Sequence, residues 1–248
     1  MIQKRTTEPS KNSVHAPWIH AAGILTALWL MIVFLITAVE AVAYWTPGYY
    51  KMEYEKYQVL DDLPEMTMDD LLSVTDEMMA YLRGSREDLH VPTIVDGQPR
   101  EFFNDREIAH MEDVRGLFLG GLALRRISLG LIVTCVILLL LLKADIRRVL
   151  PKMICIGSAL FFAVLAVLAG IISTDFNQYF IMFHHIFFNN DLWMLNPDTD
   201  LLINIVPEPF FMDTAARIAM TYGVSVLTVF AICFIILYYY RKKQEKQI

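Results

Sequence analysis

Four stretches of this chain are long and apolar enough to be helices across a bilayer, which takes about 20 residues, and a chain with four of them has few folds open to it. They cover residues 21–44, 117–142, 153–172 and 217–240. The first ends in Ala41-Val42-Ala43, which imitates a signal-peptidase site. Its apolar core exceeds the roughly 7–15 residues of a signal peptide, so an uncleaved helix is expected. Composition agrees: 56% of residues are hydrophobic and 19% charged, against ~45–50% and ~25% in soluble domains. A soluble enzyme is excluded. The net charge of -6 suits no phosphate backbone, so nucleic acid is not an expected partner. Cys135, Cys155 and Cys233 lie in or beside the apolar runs, which speaks against a disulfide framework.

The charges give an orientation. Lys4, Arg5 and Lys11 precede the first run. Lys143, Arg147, Arg148 and Lys152 fill the loop 143–152, and Arg241, Lys242, Lys243 and Lys246 close the chain. With four spans these segments share one face, which the positive-inside rule makes cytoplasmic. The tails 1–20 and 241–248 are then inside, and 45–116 and 173–216 outside. The second outer segment has no Lys or Arg but six acids: Asp175, Asp191, Asp198, Asp200, Glu208 and Asp213. The fold expected is an all-α membrane protein of four transmembrane helices. A small α+β insertion joins spans one and two, and an interfacial helix with a loop joins spans three and four.

Within 45–116, Thr67-Met68-Asp69-Asp70 resembles a capping box before an apolar stripe at Leu71, Leu72, Met78, Met79 and Leu82, and Gly84 is placed to stop that helix. The β-type runs VPTIV and REFF flank Asp96-Gly97, a hairpin signal. Asn104, with Glu107 three residues on, marks a helix start that leads through His110 into the second span. Within 173–216, Phe176, Phe180, Phe183 and Phe187 recur at spacings of 4, 3 and 4, one helical stripe. With Tyr179, Phe188 and Trp193 they suit a membrane–water interface. Arg125 and Arg126 interrupt the second span; lipid beginning near Leu117 places them in the outer leaflet, touching headgroups or forming a buried pair with Glu40.

Signatures of nucleophilic catalysis are missing: there is no G-x-S-x-G, no H-E-x-x-H and no P-loop. Histidine remains. His15 and His20 read as solvated tail residues, and His90 as a surface residue before a strand. His110, His184 and His185 differ, because their segments meet the outer interface, where ionisable groups are expensive. Each also has a plain reading, as a polar residue on a wet helix face or a headgroup contact. With Glu112 and Asp113 they offer donors to a metal, though in no standard zinc spacing, and adjacent His184 and His185 on a helix point about 100° apart.

At these residues the chain resembles a family. H-M-x-D-V at 110–114, F-H-x-I-F-F-N-x-D-x-W at 183–193, N-P-x-x-D at 196–200 and P-E-x-F-F at 207–211 are similar to motifs of four-span bacterial membrane proteins that include the lipoprotein intramolecular transacylase. The likeness extends over essentially the whole chain. It implies an acyltransferase of the cytoplasmic membrane, with its active site on the outer face. The substrate is a diacylated lipoprotein held among membrane phospholipid. The sn-2 acyl chain moves from the glyceryl group to the α-amino group of the N-terminal cysteine, giving a lyso-form lipoprotein, with no cofactor or metal. Carried over motif by motif, the catalytic pair is His110 and His184; His185 holds a variable position.

The chemistry is consistent with these residue types. An α-amine has a pKa of ~7.7–8.0 and is mostly protonated near pH 7, while a neutral imidazole, pKa ~6.5, is a suitable base. Amine and ester lie in one molecule, so holding the near-attack geometry replaces an acyl-enzyme. Arg115, Asn189, Asn190, Arg125, Arg126 and Trp193 are candidates to bind substrate or stabilise the oxyanion. Two other functions are open to the same residues: a non-catalytic membrane sensor or assembly protein, and a metal-dependent membrane hydrolase.

Overall fold

The computed structural model describes residues 11–63, 66–95 and 97–246, with side chains from residue 17 onward. Lys4, Arg5 and Asp96, and the side chains of Lys11 and His15, lie outside that description. All four apolar runs are helical: Pro17–Trp45, Asp105–Leu141, Ile146–Ile172 and Glu208–Glu245 are each long and apolar enough to cross a membrane. Between the first and second lies a small α+β insertion, as expected, and between the third and fourth the expected short helix and loop, the loop holding one more helix of five residues, Leu201–Ile205. Helix α1 (Lys11–Glu40) ends in a π-helical turn, Ala41–Trp45; α4 is Asp105–Leu141, α5 is Ile146–Ile172 and α8 is Glu208–Glu245.

Contacts divide the chain into two units. One holds the residues up to Leu35, Arg125–Ala166 and Tyr222 onward. It is built from apolar helices that keep large side chains on their outer surface: Val133 is 57% exposed and Leu160 62%. For a chain in water such a surface would be a liability, whereas lipid is its natural solvent. Helices α1 and α5 approach closely here. A Cβ on Gly157 would stand 2.8 Å from that of Ala27, so only glycine lets the backbones meet.

The other unit, Ile36–Leu124 and Val167–Thr221, has a core like that of a soluble domain. It contains α2 (Tyr49–Lys56), α3 (Met68–Arg83), strands β1 (Pro92–Val95) and β2 (Gln98–Glu101), the first half of α4, α6 (Phe176–Phe187), α7 (Leu201–Ile205) and the start of α8. The capping box forms at Thr67 and Asp70, and Gly84 ends α3 at φ +81°. The hairpin is tighter than the sequence suggested. Val95 pairs with Gln98, and Gly97 before it lies at φ +70°. That register draws Gln98 and Pro99 into the strand and releases Phe102 and Phe103 into the core, where both are fully buried.

Two further motifs find structural work. Glu40 pairs with Arg83 of α3 at 3.2 Å, and the Arg83 guanidinium lies over the Tyr44 ring. Phe210 of the P-E-x-F-F motif packs among Tyr49, Tyr50 and Tyr54 of α2, while its neighbour Phe211 packs on Phe180. Adjacent aromatics thus fasten the start of α8 to the insertion on one side and to α6 on the other.

Candidate active site

The site begins at the first turn of α4. The Asn104 N–H donates to Glu107 Oε2 at 2.7 Å and the Glu107 N–H to Asn104 Oδ1 at 3.0 Å, a reciprocal cap that fixes where the helix starts. From that start, Glu107, His110 and Asp113 recur at a spacing of three along one side of the helix. All three serve the segment that carries the second histidine.

Glu107 is fully buried, and its Oε1 accepts the Leu202 N–H at 2.6 Å. Asn104 Nδ2 donates to Asp200 Oδ1 at 2.8 Å, and Asp200 Oδ2 accepts the Asn196 N–H at 2.7 Å, which is the use of the N-P-x-x-D motif. The Arg106 guanidinium donates to the carbonyls of Asp191 and Met194. Asn190 Nδ2 donates to Asp113 Oδ2 at 2.8 Å, while Asn190 Oδ1 accepts the Leu192 N–H at 3.1 Å. Four side chains at and after the start of α4, those of Asn104, Arg106, Glu107 and Asp113, therefore hold residues 190–202.

His184 sits on α6, which starts at Asp175, whose carboxylate accepts the Gln178 N–H. The expected aromatic stripe splits in two. Phe180, His184 and Phe188, four apart, turn inward; Phe183 and Phe187 touch at 4.6 Å with planes tilted by 42° and stay about half exposed. His185 is exposed, its direction away from His184 following from the helical 100°. Among the described residues no three His, Cys, Asp or Glu side chains converge as a metal site requires.

His110 and His184 come together. Their ring centroids are 6.3 Å apart, and they are 7% and 8% exposed. Phe188 contacts both rings, Phe180 lies 4.3 Å from His184, and Trp193 stacks on His184 at 4.7 Å with 29° between the planes. His184 Nδ1 lies 2.7 Å from the Phe180 carbonyl. A carbonyl only accepts, so the proton is on Nδ1 and the lone pair on Nε2. His110 Nδ1 and Trp193 Nε1 are buried and have no hydrogen-bond partner among the described residues. Burial, reinforced by the neighbouring His184, pushes the His110 pKa down to about 4. Burial lowers that of His184 too, against the opposing hydrogen bond to Phe180. Both imidazoles are held neutral at pH 7, the state in which they can take a proton or donate an N–H.

A family model described as "Lipoprotein intramolecular transacylase Lit" matches residues 24–211. The chain belongs to the lipoprotein intramolecular transacylase family. The expected class of activity, intramolecular acyl transfer by a membrane enzyme, follows from that membership. Three solved structures of the membrane-integral transacylase Lit from Bacillus cereus share the fold at 21% identity. One of them has a TM-score of 0.75, over 92% of this chain and 99% of that one. The other two, with a histidine changed to arginine or to alanine, have TM-scores of 0.74 over 93% of this chain. No curated protein matches the sequence.

The other residues singled out from this family's motifs divide. Trp193 is in the pocket. Asn190 borders it, with its amide used on Asp113 and on its own turn. Asn189 is exposed. Arg115 is occupied elsewhere: its guanidinium donates to the carbonyls of Arg86 and Glu87 and lies over the Tyr81 ring, though its buried Nε has no partner among the described residues. Five residues of helix put it about 140° around α4 from His110, a direction readable from the numbering alone. Arg125 and Arg126 belong to the other unit. What the sequence reading missed is Asp113, Arg106 and Asp200 as the fasteners of the pocket, and Phe180 as the residue that sets the His184 tautomer.

Proposed function

We propose that this transacylase moves an acyl chain within a diacylated lipoprotein, from the glyceryl ester to the α-amine of the N-terminal cysteine, at His184 and His110. The observation that carries the reading is the 2.7 Å contact from His184 Nδ1 to the Phe180 carbonyl, 6.3 Å from a second neutral imidazole. It leaves Nε2 as the open, basic nitrogen.

The neutral amine attacks the ester carbonyl carbon. As the C–N bond forms, His184 Nε2 takes a proton from the amine nitrogen, and the carbonyl π pair moves to oxygen. His110, kept neutral by burial, donates its N–H to that oxygen and remains an imidazole. The tetrahedral centre then collapses: the C–O bond breaks, its electron pair leaves on the glyceryl oxygen, and that oxygen takes the proton back from His184 Nε2. No net proton is consumed and no nucleophilic side chain is needed. Base catalysis of this kind contributes about 10²–10⁴-fold.

The aromatic pocket suits an acyl substrate, and the exposed Phe183, Ile186 and Phe187 of α6 suit surrounding phospholipid. The charge distribution supports an orientation with both termini in the cytoplasm and the histidines at the outer face. Mass spectrometry of a lipoprotein N-terminus from cells expressing the chain tests the reading. An N-acyl lyso-form is expected, lost in His110→Ala and in His184→Ala at unchanged protein level. A diacyl N-terminus in cells expressing the unaltered chain would sink it.

A further inference from the structure

Two of the candidate oxyanion donors keep a buried N–H with no partner among the described residues, Arg115 Nε and Trp193 Nε1, and of the two it is Trp193 that stands against an imidazole. Arg115 donates to two backbone carbonyls and Asn190 to Asp113, and Asn189 is exposed. Phe180 and Phe188 offer only carbon. Trp193 has its indole face on His184, 4.7 Å away in a plane inclined by 29°, and its Nε1 is buried with no partner among the described residues. An indole N–H can only donate, and a buried donor left unpaired is rare enough in folded proteins to call for an explanation.

The turn that carries Trp193 is held more firmly than an aromatic wall requires. Asp191 and Met194, two residues before it and one after, give their carbonyls to Arg106. The Leu192 N–H before it donates to Asn190 Oδ1, and the Trp193 carbonyl accepts the Leu195 N–H at 3.0 Å. Four hydrogen bonds thus fix the position of an N–H that itself bonds to nothing described. Donors fixed in advance where charge will develop are what stabilise a tetrahedral oxyanion, because nothing must reorganise at the moment of reaction.

We infer that Trp193 is a catalytic residue, its indole N–H donating to the acyl carbonyl oxygen of the substrate and, more strongly, to the oxyanion formed from it. The inference rests on the reading of the histidine pair given above. Trp193 and His110 then supply two donors to one oxygen, while the Trp193 ring keeps the His184 imidazole flat against it. The N–H stays on the indole throughout; it moves no proton.

The test replaces the N–H alone. Trp193→3-benzothienylalanine keeps the bicyclic shape and the stack but puts sulfur where the N–H was; Trp193→Phe removes both the N–H and part of the ring. Purified protein in lipid acts on a synthetic diacylated lipopeptide, and the N-acyl product is followed by mass spectrometry. The isostere is expected to lower turnover at saturating substrate by about 10²–10³-fold, the cost of one oxyanion donor, with KM within a few-fold of wild type. Trp193→Phe is expected to fall at least as far. Turnover of the isostere within twofold of wild type would overturn the inference and leave the histidine pair standing. Activity surviving in His110→Ala and His184→Ala would overturn both.

Discussion

His110 and His184 are buried to the same degree, yet their surroundings are opposite in kind. His184 is held by its own helix: the carbonyl one turn back takes its Nδ1 proton, and Trp193, Phe180 and Phe188 enclose the ring. His110 has no such hold on Nδ1; what is held is the helix beneath it, capped by Asn104 and Glu107 and tied to residues 190–202 on either side. One histidine has a fixed tautomer on a short helix, the other a free nitrogen on a clamped one. On the proposed mechanism the difference fits two roles, a base with a defined lone pair and a neutral donor that never needs to ionise.

Substitutions that respect hydrogen bonding but not basicity break this comparison most directly. His184→Gln removes the base, and turnover is expected to fall by about 10²–10⁴-fold. His110→Gln keeps an N–H donor in nearly the same place and is expected to lose closer to ~10-fold, since a positioned donor survives. Equal losses in the two variants, measured by product formation at saturating lipopeptide, would erase the assignment of roles.

The clamp comes next in size. Asp113→Ala leaves the Asn190 amide without its acceptor, and Glu107→Gln leaves one of two buried backbone N–H groups facing an NH₂. Each is expected to cost about 1–3 kcal/mol, read as a lower melting temperature in lipid nanodiscs, with turnover falling more than KM rises.

Two pH experiments sharpen the comparison further. His110 binds its proton less readily folded, at about 4, than unfolded, near 6.5. Between those values the unfolded chain holds more protons, so stability is lost as pH falls from 6.5 toward 4 and is complete above 6.5. The difference in melting temperature between wild type and His110→Gln should shrink across that window. Turnover should follow the substrate instead: with both imidazoles neutral, kcat/KM is expected to rise with pH toward ~8 as the amine loses its proton, with no inflection near 6.5.

How far the sequence foretold this varies with the distance over which each interaction acts. The Thr67–Asp70 cap, the Gly84 stop and the Asn104–Glu107 helix start depend on residues three or four apart, and all were legible. The two histidines were legible because ionisable groups at an interface are costly, and because their surrounding motifs resembled a family. The second partner of Glu107, Leu202, lies 95 residues away, and no local spacing rule can see it. Asp113 read as a donor to a metal, whereas it is the acceptor for Asn190. Arg115 was chosen for its charge, when its angle on α4 already pointed it away from His110.

The grip of α4 on the turn at 191–194 is on main-chain atoms: Arg106 takes the carbonyls of Asp191 and Met194 and asks nothing of their side chains, both of which are exposed. The rim of the pocket is therefore open to rewriting while its floor stays put. A change of residue at 191 or 194 alters what an incoming lipoprotein meets first without shifting Trp193 or His184, which makes these two positions the natural place for substrate preference to drift.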